Sequence, residues 1–115
     1  LQPNNVHIVE SALKAGIRAL MLDLYYRWPV NATPAEREMP TPVHLCHGYC
    51  TIGFSYFNIT LATIKEFLDA NPREVLVLIL EQYVASSSVL DELTAAGLTD
   101  YLGYTHPGPA VPWPA

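Results

Sequence analysis

Apolar positions fall into two rhythms along the chain. Over Asn5–Ala15, Val6, Val9 and Leu13 recur at the spacing of a single helical stripe. Asn4 or Asn5 is placed to cap that helix, and Gly16 to stand just beyond its end. Thr60–Ala70 repeats the helical rhythm with Leu61, Ile64, Phe67 and Leu68. Asn58 or Thr60 is a cap for this second helix, and Asn71-Pro72 stops it. A third helix is expected from Val89 to Ala96, capped by Ser86-Ser87-Ser88 and ended by Gly97.

Between the helices lie short, nearly unbroken apolar runs. Ile17–Leu24 is interrupted only by Arg18 and Asp23, and Glu74–Glu81 holds the continuous run Val75–Leu80. Val43–Cys46 is a shorter run leading into His47. Such runs read as strands covered on both faces, in a parallel sheet flanked by helices. Each expected strand ends in an ionisable residue: Asp23, His47 and Glu81. In parallel α/β folds the carboxyl edge of the sheet is where sites are built.

The segment Arg27–Pro42 contains Pro29, Pro34, Pro40 and Pro42, which predicts an exposed excursion without a regular element. Gly48–Phe57 reads as a loop rich in aromatics and glycine, and the chain from Thr99 onward has no periodicity. The resulting order is α-β-loop-β-α-β-α. Three strands cannot close a (β/α)₈ barrel, which takes ~250 residues. The expectation is therefore a piece of a larger α/β fold.

Composition narrows the function classes. Half of the 115 residues are apolar and 15% are charged, as in a packed domain. A net charge of −5 argues against a nucleic-acid partner. No apolar run reaches the ~18 residues of a membrane span. Asn31-Ala32-Thr33 and Asn58-Ile59-Thr60 fit the glycosylation acceptor pattern, and the two cysteines are Cys46 and Cys50. Together they lean toward the secretory pathway.

His44, Cys46, His47 and Cys50 invite a zinc reading. One strand cannot aim all four side chains at one metal, and the spacing matches no common zinc pattern. A Cys46–Cys50 disulfide beside His47 is preferred, with a pair of reduced thiols as the alternative. His47 could be a core histidine, but its place beside Gly48 and between strand-end carboxylates favours catalysis. His7 and His106 read as surface residues. Asp23 could cap a turn, and Glu81 could pair with Arg18 or Arg27; together the two carboxylates could hold a hard cation or orient an imidazole.

At Gly16–Asp23 (Gly-Ile-Arg-Ala-Leu-Met-Leu-Asp), Leu45–Gly48 (Leu-Cys-His-Gly) and Ala70–Glu81 (Ala-Asn-Pro-Arg-Glu-Val-Leu-Val-Leu-Ile-Leu-Glu) the chain resembles the phospholipase-C-like phosphodiesterases. This is the family with a phosphatidylinositol-specific phospholipase C X-domain. The likeness is closest to its secreted or surface-anchored plant, fungal and microbial branch. Trp113-Pro114 resembles the Trp-Pro before the family's next strand. The resemblance implies a TIM-type (β/α) barrel, of which residues 1–115 form a partial segment lacking the first strand and the C-terminal half.

The implied activity is cleavage of a phosphoinositide or glycosylphosphatidylinositol-type phosphodiester at a membrane surface, outside the cell. His47 takes the place of the second catalytic histidine, the general acid toward the leaving group. The first histidine would lie before Leu1. Asp23 and Glu81 fall where calcium-dependent members place ligands, which makes calcium the implied cofactor. Met21 stands where those members carry a glutamate and bacterial metal-free members an aspartate, and Asp23 where the bacterial enzymes use an arginine. One alternative is an inactive barrel that binds lipid or glycan at the surface. Another is a glycerophosphodiester or sphingomyelinase-D-like phosphodiesterase, whose paired acids on the second strand Met21 breaks.

Overall fold

The computed structural model describes residues 6–51 and 53–102 with Ala110 and Pro112; the side chains of Val6 and His7 fall outside that set. So do Asn4 and Asn5, His106 and the Trp113-Pro114 pair. Helix α1 runs Val6–Lys14 and buries Val9, Ala12 and Leu13. It stops as expected at Gly16. Ile17 N–H reaches back to the Ala12 carbonyl (2.9 Å) and Gly16 N–H to that of Leu13 (3.1 Å), which satisfies two carbonyls that a helix end leaves open. Helix α4, Ser86–Ala95, ends the same way, with Leu98 bonded to Leu93 and Gly97 to Thr94.

Strand β1, Ala19–Tyr25, lies at the middle of a four-stranded sheet with α/β character. It pairs in parallel with β4, Val77–Gln82, in the register Met21 with Ile79 and Asp23 with Glu81. On its other side it pairs antiparallel with β2, His44–Leu45, which in turn pairs antiparallel with β3, Ser55–Tyr56. The sheet is therefore mixed, not wholly parallel. The expected strand Val43–His47 shrinks to two residues because β3, its outer partner, is itself only two residues long before the next helix begins at Phe57, and the chain turns at Gly48.

The core lies on one face of this sheet only. Leu20, Leu22 and Leu24 of β1 are buried against Val9 and Leu13 of α1 and Leu61, Ile64 and Leu68 of α3, Phe57–Ala70. Each such side chain contributes about 1.5–3 kcal/mol by leaving water. On the opposite face Met21, Val77 and Ile79 remain 50%, 53% and 50% exposed. The expectation of strands covered on both faces is thus corrected. The apolar runs looked uniform in sequence, but their residues alternate between a covered and an open face.

Three local readings change as well. The proline-rich excursion contains a short helix α2, Pro34–Arg37, where none was expected. Thr33 caps it, its hydroxyl taking the Glu36 N–H while the Glu36 carboxylate takes the Thr33 N–H, and Pro34 supplies a ready-set first residue. Helix α3 starts at Phe57, with Tyr56 at the cap position and no side-chain cap from Asn58 or Thr60. Helix α4 starts at Ser86, three residues before the expected Val89. Its serines do not cap it: Ser86 Oγ accepts from Gln82 and Ser88 Oγ pairs with the Tyr26 hydroxyl at 2.6 Å.

Candidate functional site

Alternation along β1 puts Met21, Asp23 and Tyr25 on the open face, and the parallel register sets Ile79 and Glu81 of β4 beside them. Just past β4, Tyr83 stacks on Tyr25, with ring centroids 4.5 Å apart and planes at 15°. The Tyr83 hydroxyl donates to the Glu81 carboxylate. That carboxylate, holding the phenol proton, keeps Tyr83 well above the usual phenol range, with Tyr25 adding to the effect. Glu81 therefore pairs with neither Arg18, which is bonded to Glu74 at 2.7 Å, nor Arg27.

His47 arrives from the other side of β1. Its Nδ1 lies 2.8 Å from Asp23 Oδ2, with the imidazole 62% exposed and the carboxylate 14% exposed. Two features bring it there. Cys46 N–H bonds the Asp23 carbonyl at 3.3 Å, continuing the β1–β2 pairing by one residue. Gly48 then takes φ +67°, a region costly to residues with a Cβ, and Tyr49 N–H closes back on the His47 carbonyl at 2.7 Å. This turn lets Cys50 reach Cys46, and the two form the expected disulfide, with Cα atoms 5.1 Å apart. Both sulfurs are thereby withdrawn from any zinc site.

All three sequence-derived residues thus stand on or beside the open face. Asp23 and His47 are joined directly, and Glu81 is Asp23's register partner. An ionised carboxylate only accepts, so the shared proton sits on His47 Nδ1 and Nε2 is the ring atom left for a substrate.

A calcium ion asks for six to eight oxygen ligands. Asp23 and Glu81 offer two carboxylates, and these accept from His47 and Tyr83. Met21 occupies the preceding position on the same face, and among the described residues no group of three or more His, Cys, Asp or Glu is placed to hold a metal. Among the described residues, Asp23 and Glu81 by themselves fall short of the ligand count a calcium ion takes.

His44 parts company with His47. It is 5% exposed, lies against Phe54 and Tyr56 at ring distances of 5.2 and 4.9 Å, and its Nδ1 has no partner. Burial pushes its pKa down and the Arg27 charge lowers it further, against opposing contributions from the Pro42 carbonyl and Glu92. Tyr25 and Tyr83 were not singled out from the sequence. Continuing the period of two from Asp23 and Glu81 by one step finds both.

No family model matches the chain. Over 85% of its length it is 31% identical to a PI-PLC X domain-containing protein of Arabidopsis thaliana, and it spans 22% of that protein's length. The chain belongs to the PI-PLC X-domain-like family.

Proposed function

We propose that this chain carries the general-acid side of a phosphodiesterase site, acting on a phosphoinositide or glycosylphosphatidylinositol-type phosphodiester. The observation that carries the reading is the His47–Asp23 pair at 2.8 Å on the open sheet face. Departure of an alkoxide from phosphorus requires a proton at the leaving oxygen. Protonated His47 gives its Nε2 proton to that oxygen as the P–O bond breaks. Asp23 fixes the ring through Nδ1 and balances the imidazolium charge beforehand. None of the described residues is assigned as the base that takes the attacking hydroxyl's proton.

The half-exposed face of Met21, Val77 and Ile79 supports a further reading, that the sheet forms part of a larger barrel whose interior this face lines. A location outside the cell is supported by the Cys46–Cys50 bond and by the exposed acceptor asparagines Asn31 and Asn58. No helix among the described residues is long and apolar enough to cross a membrane.

The test is release of a phosphorylated head group from phosphatidylinositol vesicles by the purified protein, with phosphatidylcholine vesicles as control. Release that vanishes in His47→Ala supports the reading. Vesicle binding without release, in wild type as in the variant, would replace it with a binding protein.

A further inference from the structure

The site as described is acidic, and a phosphodiester is an anion. Asp23 and Glu81 repel it, and the chain as a whole carries −5. A cation must therefore stand near the phosphate if the site works on one. The chain has six lysines and arginines. Lys14, Lys65 and Arg18 are taken up by Glu10, Asp69 and Glu74. Arg37 donates to the Val30 and Ala32 carbonyls. Among the described residues, the guanidinium groups of Arg27 and Arg73 make no hydrogen bond or ion pair.

The fold separates these two. Arg73 precedes β4, at the end of the parallel β1–β4 pair away from Asp23 and Glu81. Arg27 follows β1 by two residues, at the same end as Asp23. Its guanidinium carbon lies 4.0 Å over the Phe54 ring, which is itself wedged against His44 and Tyr56. Its backbone N–H is pinned to Thr41 Oγ1 at 3.0 Å, and the next residue, Trp28, is pinned by Nε1 to the Met39 carbonyl at 2.9 Å. The head group is thus held over an aromatic face while its N–H donors stay unspent.

Arg27 also lines a groove of about 480 Å³. One wall comes from the segment after β1, with Tyr26, Trp28 and Val30, and the other from the disulfide loop, with Gly48 and Tyr49. Gly48 is the residue directly after His47, so one wall of the groove follows the proposed acid along the chain. Its volume is within the range of small-molecule sites.

We propose that Arg27 is the cation that holds the phosphate of the substrate, at the edge of this groove. The proposal rests on the phosphodiesterase reading above and adds to it the cation. A guanidinium meets two phosphate oxygens in a fork, with both hydrogen bonds strengthened by charge.

The experiment is calorimetric titration of the purified protein with inositol 1-phosphate, inorganic phosphate and free inositol. Arg27→Gln is expected to weaken inositol 1-phosphate about 10- to 100-fold, the range for losing charged hydrogen bonds. It should weaken inorganic phosphate too and leave free inositol unchanged. Arg27→Lys should recover part of the loss, and Arg73→Gln should cost nothing. Equal losses in Arg27→Gln and Arg73→Gln would overturn the proposal, since they report a diffuse field and no site. So would failure of wild type to bind either phosphate. A circular dichroism melt of each variant establishes that it is folded. The two readings fail separately: Arg27-dependent binding without any hydrolysis sinks the phosphodiesterase and keeps the phosphate site. Full hydrolysis with unchanged KM in Arg27→Gln sinks the Arg27 proposal and keeps the enzyme.

Discussion

His47 and Asp23, 24 positions apart, meet with Nδ1 and Oδ2 at 2.8 Å because a two-residue strand and a glycine turn fold one back along the other. The carboxylate is the more sheltered partner and the imidazole the more exposed one. That is the arrangement expected when one group orients and the other reacts. Asp23→Asn keeps the shape but offers a weaker acceptor. It should lower kcat between roughly 10- and 100-fold, the usual cost of removing the partner that orients a working imidazole, with little change in KM. Steady-state kinetics decide it: an Asp23→Asn enzyme with unchanged kcat would mean the contact is idle.

The disulfide closes the loop that carries His47, Gly48 and Tyr49. Peptide mapping without reductant should find Cys46 linked to Cys50 in protein secreted to the medium. In the chain-entropy model so short a loop is worth roughly 2 kcal/mol, so the double Cys46→Ala, Cys50→Ala variant should lose about that in urea unfolding. Free thiols in secreted protein would contradict the bond, and an unchanged unfolding midpoint would contradict its contribution.

His44 makes stability depend on acidity. Its pKa is lowered in the folded chain, so the unfolded chain, near 6.5, takes the proton first. Stability from this residue is complete above about pH 6.5 and is lost as pH falls below it. His44→Phe removes the titration and an unpartnered buried nitrogen. Between pH 7.5 and 5.5 the wild type should therefore lose more melting temperature than His44→Phe. Equal losses would show that His44 does not titrate against folding.

One-sided burial of β1 predicts an alternating cost along the strand. In this chain Leu22→Ala, at 0% exposure, should cost about 2–5 kcal/mol, while Met21→Ala, half exposed, should cost well under 1 kcal/mol. Equal costs in denaturant titrations would show that the strand is covered on both faces after all.

Much of this was legible in the sequence, for identifiable reasons. Gly16 and Gly97 marked helix ends because the bonds they allow are local. Asp23, His47 and Glu81 stood out because each ends an apolar run. The direction of β2 was not legible, since pairing sense is set by partners far along the chain and not by five residues of pattern. The serine cap of α4 misled because Ser86 and Ser88 spend their hydroxyls on Gln82 and Tyr26. The short helix at Pro34 was readable as Thr-Pro-Ala-Glu, a capping box hidden among prolines.

The central claim is that His47 protonates the leaving group. It is tested most directly by the ratio of two activity losses in folded His47→Ala. On a phosphoinositide substrate, with a poor leaving group, turnover should fall by ~10²–10⁴-fold. On a nitrophenyl phosphodiester, whose leaving group needs little protonation, the same variant should lose far less. Equal losses on the two substrates would contradict the assignment of His47 as the acid.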